Sequence, residues 1–424
     1  MRINILLLLV CAAMLSAADS EAEKRLVETA QNSDGPKLRS ALEKHLGAEA
    51  LKDGAHVSYR PDFVFAIRSA SEPSLFVDDR PAAGKARRVD QSDLWIQLAK
   101  LQTGRSHAFQ FQADGERIGL RRDVRTYSKD HYPQAGVRQG KLSQKQAHVS
   151  KIFPGMKSDW WYYASPGVNP AKPATLMVWQ DGQKYAHRNS RSRLLTVVDN
   201  LEAQGKIPPM VLVMIAPGYV GKRRMRSVEY DTTTDRYIRF VSDEILPEVE
   251  KKYKLRADGY SRSIGGESSG GICALNAAWQ QPKNFARVIS RIGSYTAIAW
   301  RSGDEKGADV LDGGQFFPSL VRKAEKRNIR IWMEDGSSDL ENDHGSWPLQ
   351  NIQLANSLKM RDYDFKFTFG NAQHSSANGD SKLPEALTWL WRGYDAAKTE
   401  QTFDADPAEK GKPYFRVVSL NRHE

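Results

Sequence analysis

Gly266-Glu267-Ser268-Ser269-Gly270, followed by Gly271, has the spacing G-x-S-x-G. A serine becomes a nucleophile when it is exposed and held still. A tight turn from a strand into a helix does both, and it requires almost no side chain two residues to either side. The helix behind such a serine presents the positive end of its dipole to a developing oxyanion. With Gly and Ser each at about 7% of residues, chance would place this pattern in roughly one chain of this size in seven. Context therefore decides. Tyr260 to Ile264 reads as a short strand and Gly270 to Trp279 as a helix, so the motif stands where acyl chemistry needs it. The competing account is a glycine-rich turn that only packs a helix on a sheet.

Such a serine needs a base and a supporting acid, which follow it in the order Ser, acid, His. Only His344, His374 and His423 come after Ser268. His423 stands next to the last residue and His344 falls inside the segment that should carry the acid. His374 follows a strand ending at Phe369 and is the expected base. Met333-Glu334-Asp335-Gly336-Ser337-Ser338-Asp339 leaves the preceding strand. Asp339, just past the Gly-Ser-Ser turn, is the expected acid, with Asp335 and Asp343 as rivals. Its work would be to hold the imidazole tautomer and stabilise the charged form. For the oxyanion, one N–H is expected from Ser269 and another from Gly182 or Gln183, in the loop after the strand Ala174 to Trp179. No H-E-x-x-H, C-x-x-C or phosphate-loop pattern occurs, so no metal and no cofactor are expected.

The elements that must hold these residues are legible in outline. From Ile152 onward, apolar strands alternate with helices: Ala174 to Trp179, Val211 to Ala216, Arg287 to Ser290, Ile329 to Met333 and Phe365 to Phe369 are strands. Helical stretches are Arg236 to Tyr253, Leu349 to Leu358 and a last one begun by Pro384. This predicts an α/β fold, a mostly parallel sheet with helices on both faces and a site at the carboxyl ends of its strands. Residues 56–120 instead alternate with a period of two, as at Phe63, Phe65 and Ile67 or Phe109 and Phe111, and predict a small antiparallel β-sandwich. Trp95 is core or a carbohydrate contact. The expected division is a signal peptide at 1–18, a helical leader at 19–50, a β-sandwich at 51–120, a linker at 121–150, the catalytic domain at 151–395 and a C-terminal extension at 396–424.

Composition sets the surroundings. Arg2, the short apolar run Ile5 to Leu15 and Ser16-Ala17-Ala18 read as an export signal, which predicts a secreted or periplasmic protein with no membrane insertion after its removal. Cys11 and Cys273 are the only cysteines, and Cys273 reads as a buried structural thiol. The net charge of +11 comes with no zinc-finger or RNA-recognition motif, so nucleic acid is not an expected partner. Two basic clusters stand out, Arg188, Arg191, Arg193 and Lys222, Arg223, Arg224, Arg226. They are solvated surface or a means of attracting an acidic polysaccharide.

With these residues in place, 150–395 resembles the esterase family of enterochelin esterase, esterase D and the feruloyl and acetyl-xylan esterases. The resemblance rests on Met177-Val178-Trp179-Gln180-Asp181-Gly182, Arg226-Ser227-Val228-Glu229-Tyr230-Asp231, Glu244-Ile245-Leu246-Pro247, Arg262 to Gly271, and Gly336 to Asp339 with His374-Ser375. It implies the α/β-hydrolase fold and ester hydrolysis through an acyl-enzyme without a cofactor, and it carries onto Ser268, Asp339 and His374. The β-rich region before it resembles the immunoglobulin-like domain of enterochelin esterases. Export favours polysaccharide-linked acetyl or feruloyl esters over a siderophore, and Trp300, Trp347, Tyr295 and Trp160 are candidates for an aromatic platform. Arg226 and Glu229 look like loop-fixing residues. Transfer to an alcohol by the same triad, and a non-catalytic binding protein of the same fold, are the alternatives.

Overall fold

The computed structural model describes residues 21–300 and 312–415, so the expected signal peptide lies outside the described residues. The chain divides into two compact units. The first takes residues up to 137 together with 187–200 and 371–385; the second takes 138–186, 201–370 and the residues from 386 onward.

The first unit is built on two four-stranded antiparallel sheets. One contains Ala55–Tyr59, Asp62–Arg68, Leu94–Lys100 and Arg87–Arg88; the other contains Arg80–Pro81, Ser74–Val77, His107–Ala113 and Glu116–Val124. Phe63, Phe65, Ile67 and Trp95 of the first sheet meet Leu75, Phe109, Phe111 and Val124 of the second in one core. The opposite face of the first sheet, with Val57, Val64, Ala66, Leu94 and Ile96, is covered by Leu26, Leu38, Leu42 and Leu51. The leader helices, 21–32, Pro36–Leu46 and Ala48–Asp53, thus complete this unit rather than precede it. Trp95 is core: its indole N–H donates to the Ser69 carbonyl at 3.0 Å, with Arg88 over its ring.

The second unit is a mixed sheet with helices. Its strands are β1 (Lys157–Ala164), β2 (Thr175–Gln180), β3 (Met210–Ile215), β4 (Arg262–Glu267), β5 (Arg287–Arg291), β6 (Arg330–Ser338) and β7 (Asp364–Gln373), in the order β1-β3-β2-β4-β5-β6-β7. From β3 to β6 all neighbours are parallel, and β1 runs antiparallel to β3. Every residue of β2, β3 and β5 is buried, and β2 and β3 accordingly read as nearly continuous apolar runs. Helix α1 (Ser269–Gln280) follows β4 and α2 (Trp347–Met360) lies between β6 and β7; α3 (Ala377–Leu390) follows β7, with its residues 377–385 grouped in the first unit.

Three expectations need correction. The supposed linker contains the strands Lys141–Leu142 and Gln146–Val149, which pair with β1; their polar residues carry no apolar signal. The last helix does not start at Pro384 but holds it inside. Proline lacks the N–H that would bond the Asp380 carbonyl, and His131 Nε2 donates to that carbonyl instead, at 2.8 Å. The C-terminal extension is partly core, since Phe403 is buried in the second unit.

Candidate active site

Ser268 stands between β4 and α1 with φ 58° and ψ −122°, a conformation costly for any residue with a side chain. Its surroundings enforce it. The Ser268 N–H donates to the Arg291 carbonyl at 2.9 Å, and the Ser268 carbonyl accepts from Gly271 N–H at 2.8 Å and Ser294 N–H at 3.2 Å. The glycines are required by space: a Cβ on Gly266 would stand 2.5 Å from the Gly270 carbonyl oxygen, and one on Gly271 would stand 2.9 Å from Ser290 Oγ. Ser269 and Gly270 open α1, so their N–H groups have no acceptor within the helix.

The loop after β2 is equally determined. Asp181 is left-handed, at φ 52° and ψ 41°. Its N–H donates to the Tyr230 hydroxyl oxygen at 3.2 Å. Its buried carboxylate accepts from Arg226 Nε at 2.9 Å and from the same guanidinium's second nitrogen at 2.8 Å. Burial opposes the Arg226 charge, but the bonds to Asp181 outweigh it and hold its pKa well above the usual arginine value. Gly182 packs so closely on β3 that a Cβ would stand 2.3 Å from Ile215 N. Gly182 and Gln183 begin a 3₁₀ turn, so their N–H groups have no acceptor within it. A Cβ on Gly270 would touch Gln180 Cβ at 3.4 Å, so this loop and the start of α1 are neighbours.

The acid segment leaves β6. Asp339 is buried; its N–H donates to the Gly336 carbonyl at 3.1 Å and its Oδ1 accepts from Leu340 N–H at 2.6 Å. Asp335 accepts from Gly336 N–H at 2.8 Å. Burial, then the hydrogen bond and charge of Asp339, raise the Asp335 carboxyl well above the usual carboxylate range. This raised carboxyl suits Asp335 as a support rather than as the charged acid. The third rival, Asp343, is exposed in the turn between Glu341–Asn342 and Gly345–Ser346. His374 directly follows β7 and belongs to the first unit.

One residue of this site escaped the sequence reading. Ser294 Oγ is 3.0 Å from Ser268 Oγ and accepts from the Trp347 indole N–H at 3.0 Å. The Trp347 N–H in turn donates to the Leu340 carbonyl at 3.0 Å, which ties the acid loop to the serine. Ser294 gets there because Ile292 takes φ 40°, rare for a β-branched residue, with its N–H on the Glu334 carbonyl at 2.8 Å. The tripeptide Ile292-Gly293-Ser294 carries no motif that would have disclosed this.

The aromatic platform is corrected. Tyr295 is fully buried with its hydroxyl 2.7 Å from Ser290 Oγ, and Trp347 and Trp160 are core residues at 2% and 4% exposure. Trp300 alone of the four is open to solvent, at 42%. The basic clusters also part ways. Arg188 pairs with Asp199, and Arg193 pairs with Glu23 while lying over the Tyr127 and Tyr132 rings. Lys222 and Arg223 have no ion-pair partner among the described residues. They lie on an exposed hairpin, Tyr219–Val220 with Arg223–Arg224, beside Arg224, which reaches to 3.8 Å from Asp181.

Residues 162–390, more than half of the chain, match the family described as "Putative esterase". The chain belongs to this esterase family. It is 29% identical over 136 residues to the iron(III) enterobactin esterase of Dickeya dadantii, covering 32% of this chain and 29% of that protein. It is 30% identical over 89 residues to an endo-1,4-beta-xylanase/feruloyl esterase of Xylanibacter ruminicola, covering 21% of this chain and 12% of that protein. The matched stretches thus span less than a third of either relative. In fold it is similar to the enterobactin esterase of Shigella flexneri, with TM-score 0.54 and 16% identity over 81% of this chain and 97% of that one. The α/β architecture with a mostly parallel sheet is thereby established. Among the described residues no helix is long and apolar enough to cross a membrane.

Proposed function

We propose that the chain is an exported serine esterase that hydrolyses carbohydrate-linked acetyl or feruloyl esters through an acyl-enzyme on Ser268. The observation that carries this reading is the strained Ser268 turn, with the N–H groups of Ser269 and Gly270, which have no acceptor within α1, behind it. In the proposed cycle His374 takes the Ser268 proton as Oγ attacks the ester carbonyl. The N–H groups of Ser269 and of Gly182 or Gln183 hold the oxyanion. His374 then gives the proton to the leaving alcohol, and water repeats the sequence to free the acid. Asp339 orients the imidazole and stabilises its charged form. The N-terminal β unit is read as the immunoglobulin-like domain of enterochelin esterases.

The feruloyl esterase relative and the exposed Trp300 support a sugar-linked ester. Lys222 and Arg223, without an ion-pair partner among the described residues and on the same hairpin as the exposed Tyr219, suit an acidic carrier. A siderophore-type ester is the second reading, favoured by the enterobactin esterase relative. The test is hydrolysis of p-nitrophenyl acetate, methyl ferulate and acetylated pectin by the mature protein beside Ser268→Ala. Activity is expected in the wild type and absent in the folded variant. Equal rates in both, or no labelling of the wild type by a fluorophosphonate, would remove Ser268 as nucleophile.

A further inference from the structure

The segment that carries His374 does not group with the strand it leaves. Residues 371–385 belong to the first unit, and the hydrogen bonds say why. Asn371 Nδ2 donates to Asp78 Oδ1 at 3.2 Å, and Arg121 donates to the Asn371 carbonyl at 3.3 Å. Farther on, Arg125 Nε donates to Asp380 at 2.7 Å and Thr126 N–H to Ser381 Oγ at 2.9 Å. Between these two anchors lies the tightest one. A single oxygen, Asp123 Oδ2, accepts from Gln373 N–H at 2.8 Å and from Ser375 Oγ at 2.6 Å. These donors stand on either side of His374. Asp123 comes from Glu116–Val124, the last strand of the β unit.

A carboxylate that holds both neighbours of one residue fixes where that residue's Cα stands and which way its side chain leaves. Charge-assisted bonds of this length are the strong kind. We propose that Asp123, which lies in the same unit as His374, is a positioning residue for the base. This rests on the reading of His374 as the base.

Two measurements on the full chain separate the inference from the reading beneath it. The first is amide hydrogen exchange over residues 371–376, which needs no activity. In Asp123→Ala, exchange there should rise about tenfold or more while the rest of the β unit keeps its protection. The second is turnover of p-nitrophenyl acetate. Misplacement of a base by about 1 Å costs about 100-fold, so kcat should fall by that order with KM little changed. Asp123→Asn, which keeps an acceptor oxygen, should restore most of both. If Asp123→Ala does not fold, Ser375→Ala removes one of the two donors and should shift both readouts in the same direction. Unchanged exchange would overturn the clamp. Faster exchange with wild-type kcat would overturn the positioning role. A wild type that exchanges as expected but hydrolyses no ester would sink the esterase reading while leaving the clamp standing.

Discussion

Arg226 shows how one side chain can set a site it never touches. Its guanidinium grips both oxygens of Asp181 and also donates to the Glu267 carbonyl at 3.3 Å, so it holds the loop after β2 and the residue before Ser268 together. Removing it would leave a buried carboxylate uncompensated, which costs about 3–5 kcal/mol, and would free the loop proposed to hold the oxyanion. Loss of one oxyanion donor costs about 100–1,000-fold in kcat. Arg226→Ala should therefore lower kcat on p-nitrophenyl acetate by roughly 100-fold, and Arg226→Lys, a point charge without the fork, should recover only part. Steady-state kinetics on protein with a verified melting temperature checks this; an Arg226→Ala variant with wild-type kcat would free the loop of that dependence. The loop-fixing part foreseen for Arg226 was legible from the chain, because it stands in a recognisable stretch with Glu229. Ser294 was not, since its place depends on the positive φ of Ile292.

At the scale of elements, the hairpin after β3 presents an exposed basic tip. Met225 N–H closes it on the Gly218 carbonyl at 2.8 Å, and Glu229 accepts from Gly218 N–H at 2.9 Å, so its base is anchored while Lys222 and Arg223 stay exposed. Exposed charges attract an opposite polymer at low salt and lose that grip as salt rises. Lys222→Glu with Arg223→Glu should weaken binding of polygalacturonate by about tenfold or more in low salt and leave p-nitrophenyl acetate hydrolysis unchanged. Lys172→Glu with Lys206→Glu makes the same charge change at exposed residues just ahead of the amino ends of β2 and β3, and it should do far less. Affinity electrophoresis in both variants decides, and equal losses would reduce the hairpin to general basicity. The pattern of the chain disclosed this cluster but not its availability. In the other cluster, which looked the same, Arg188 and Arg193 proved to be spent on Asp199, Glu23 and two tyrosine rings, and only Arg191 stays exposed.

At the scale of the whole molecule, two buried groups make stability respond to pH in opposite directions. Burial raises the Glu229 carboxyl from 4.5 to about 7. The folded second unit thus holds a proton that the unfolded chain has released, and stability falls as pH rises from about 4.5 to 7. At 1.36 kcal/mol per unit this amounts to about 3 kcal/mol. In the first unit burial lowers His131 from 6.5 to about 4. Its contribution is full above about 6.5 and is lost as pH falls towards 4. Glu229→Gln, which mimics the protonated acid, should match the wild type near pH 4.5 and exceed it by about 3 kcal/mol at pH 8. Urea unfolding at the two pH values checks the sign, and a constant difference between the proteins would show that Glu229 does not titrate in this range.

The amino-acid sequence alone determined the α/β class, the strand that delivers Ser268, the chain order of the candidate triad and the close packing around Gly266. These follow from local steric needs and from apolar periodicity, which neighbouring residues write into the chain. Tertiary structure decided the rest. It withdrew Tyr295 and Trp347 from any platform by burying them, since a tryptophan in a sequence looks alike in a core and on a rim. It brought Ser294 to Ser268, and it put Asp335 beside Asp339, whose hydrogen bond and charge add to burial in raising the Asp335 carboxyl. It also made Asp123 a neighbour of Gln373 and Ser375, about 250 residues away along the chain. Contacts of that separation are chosen by how packed sheets and helices close on one another, and no local spacing records them.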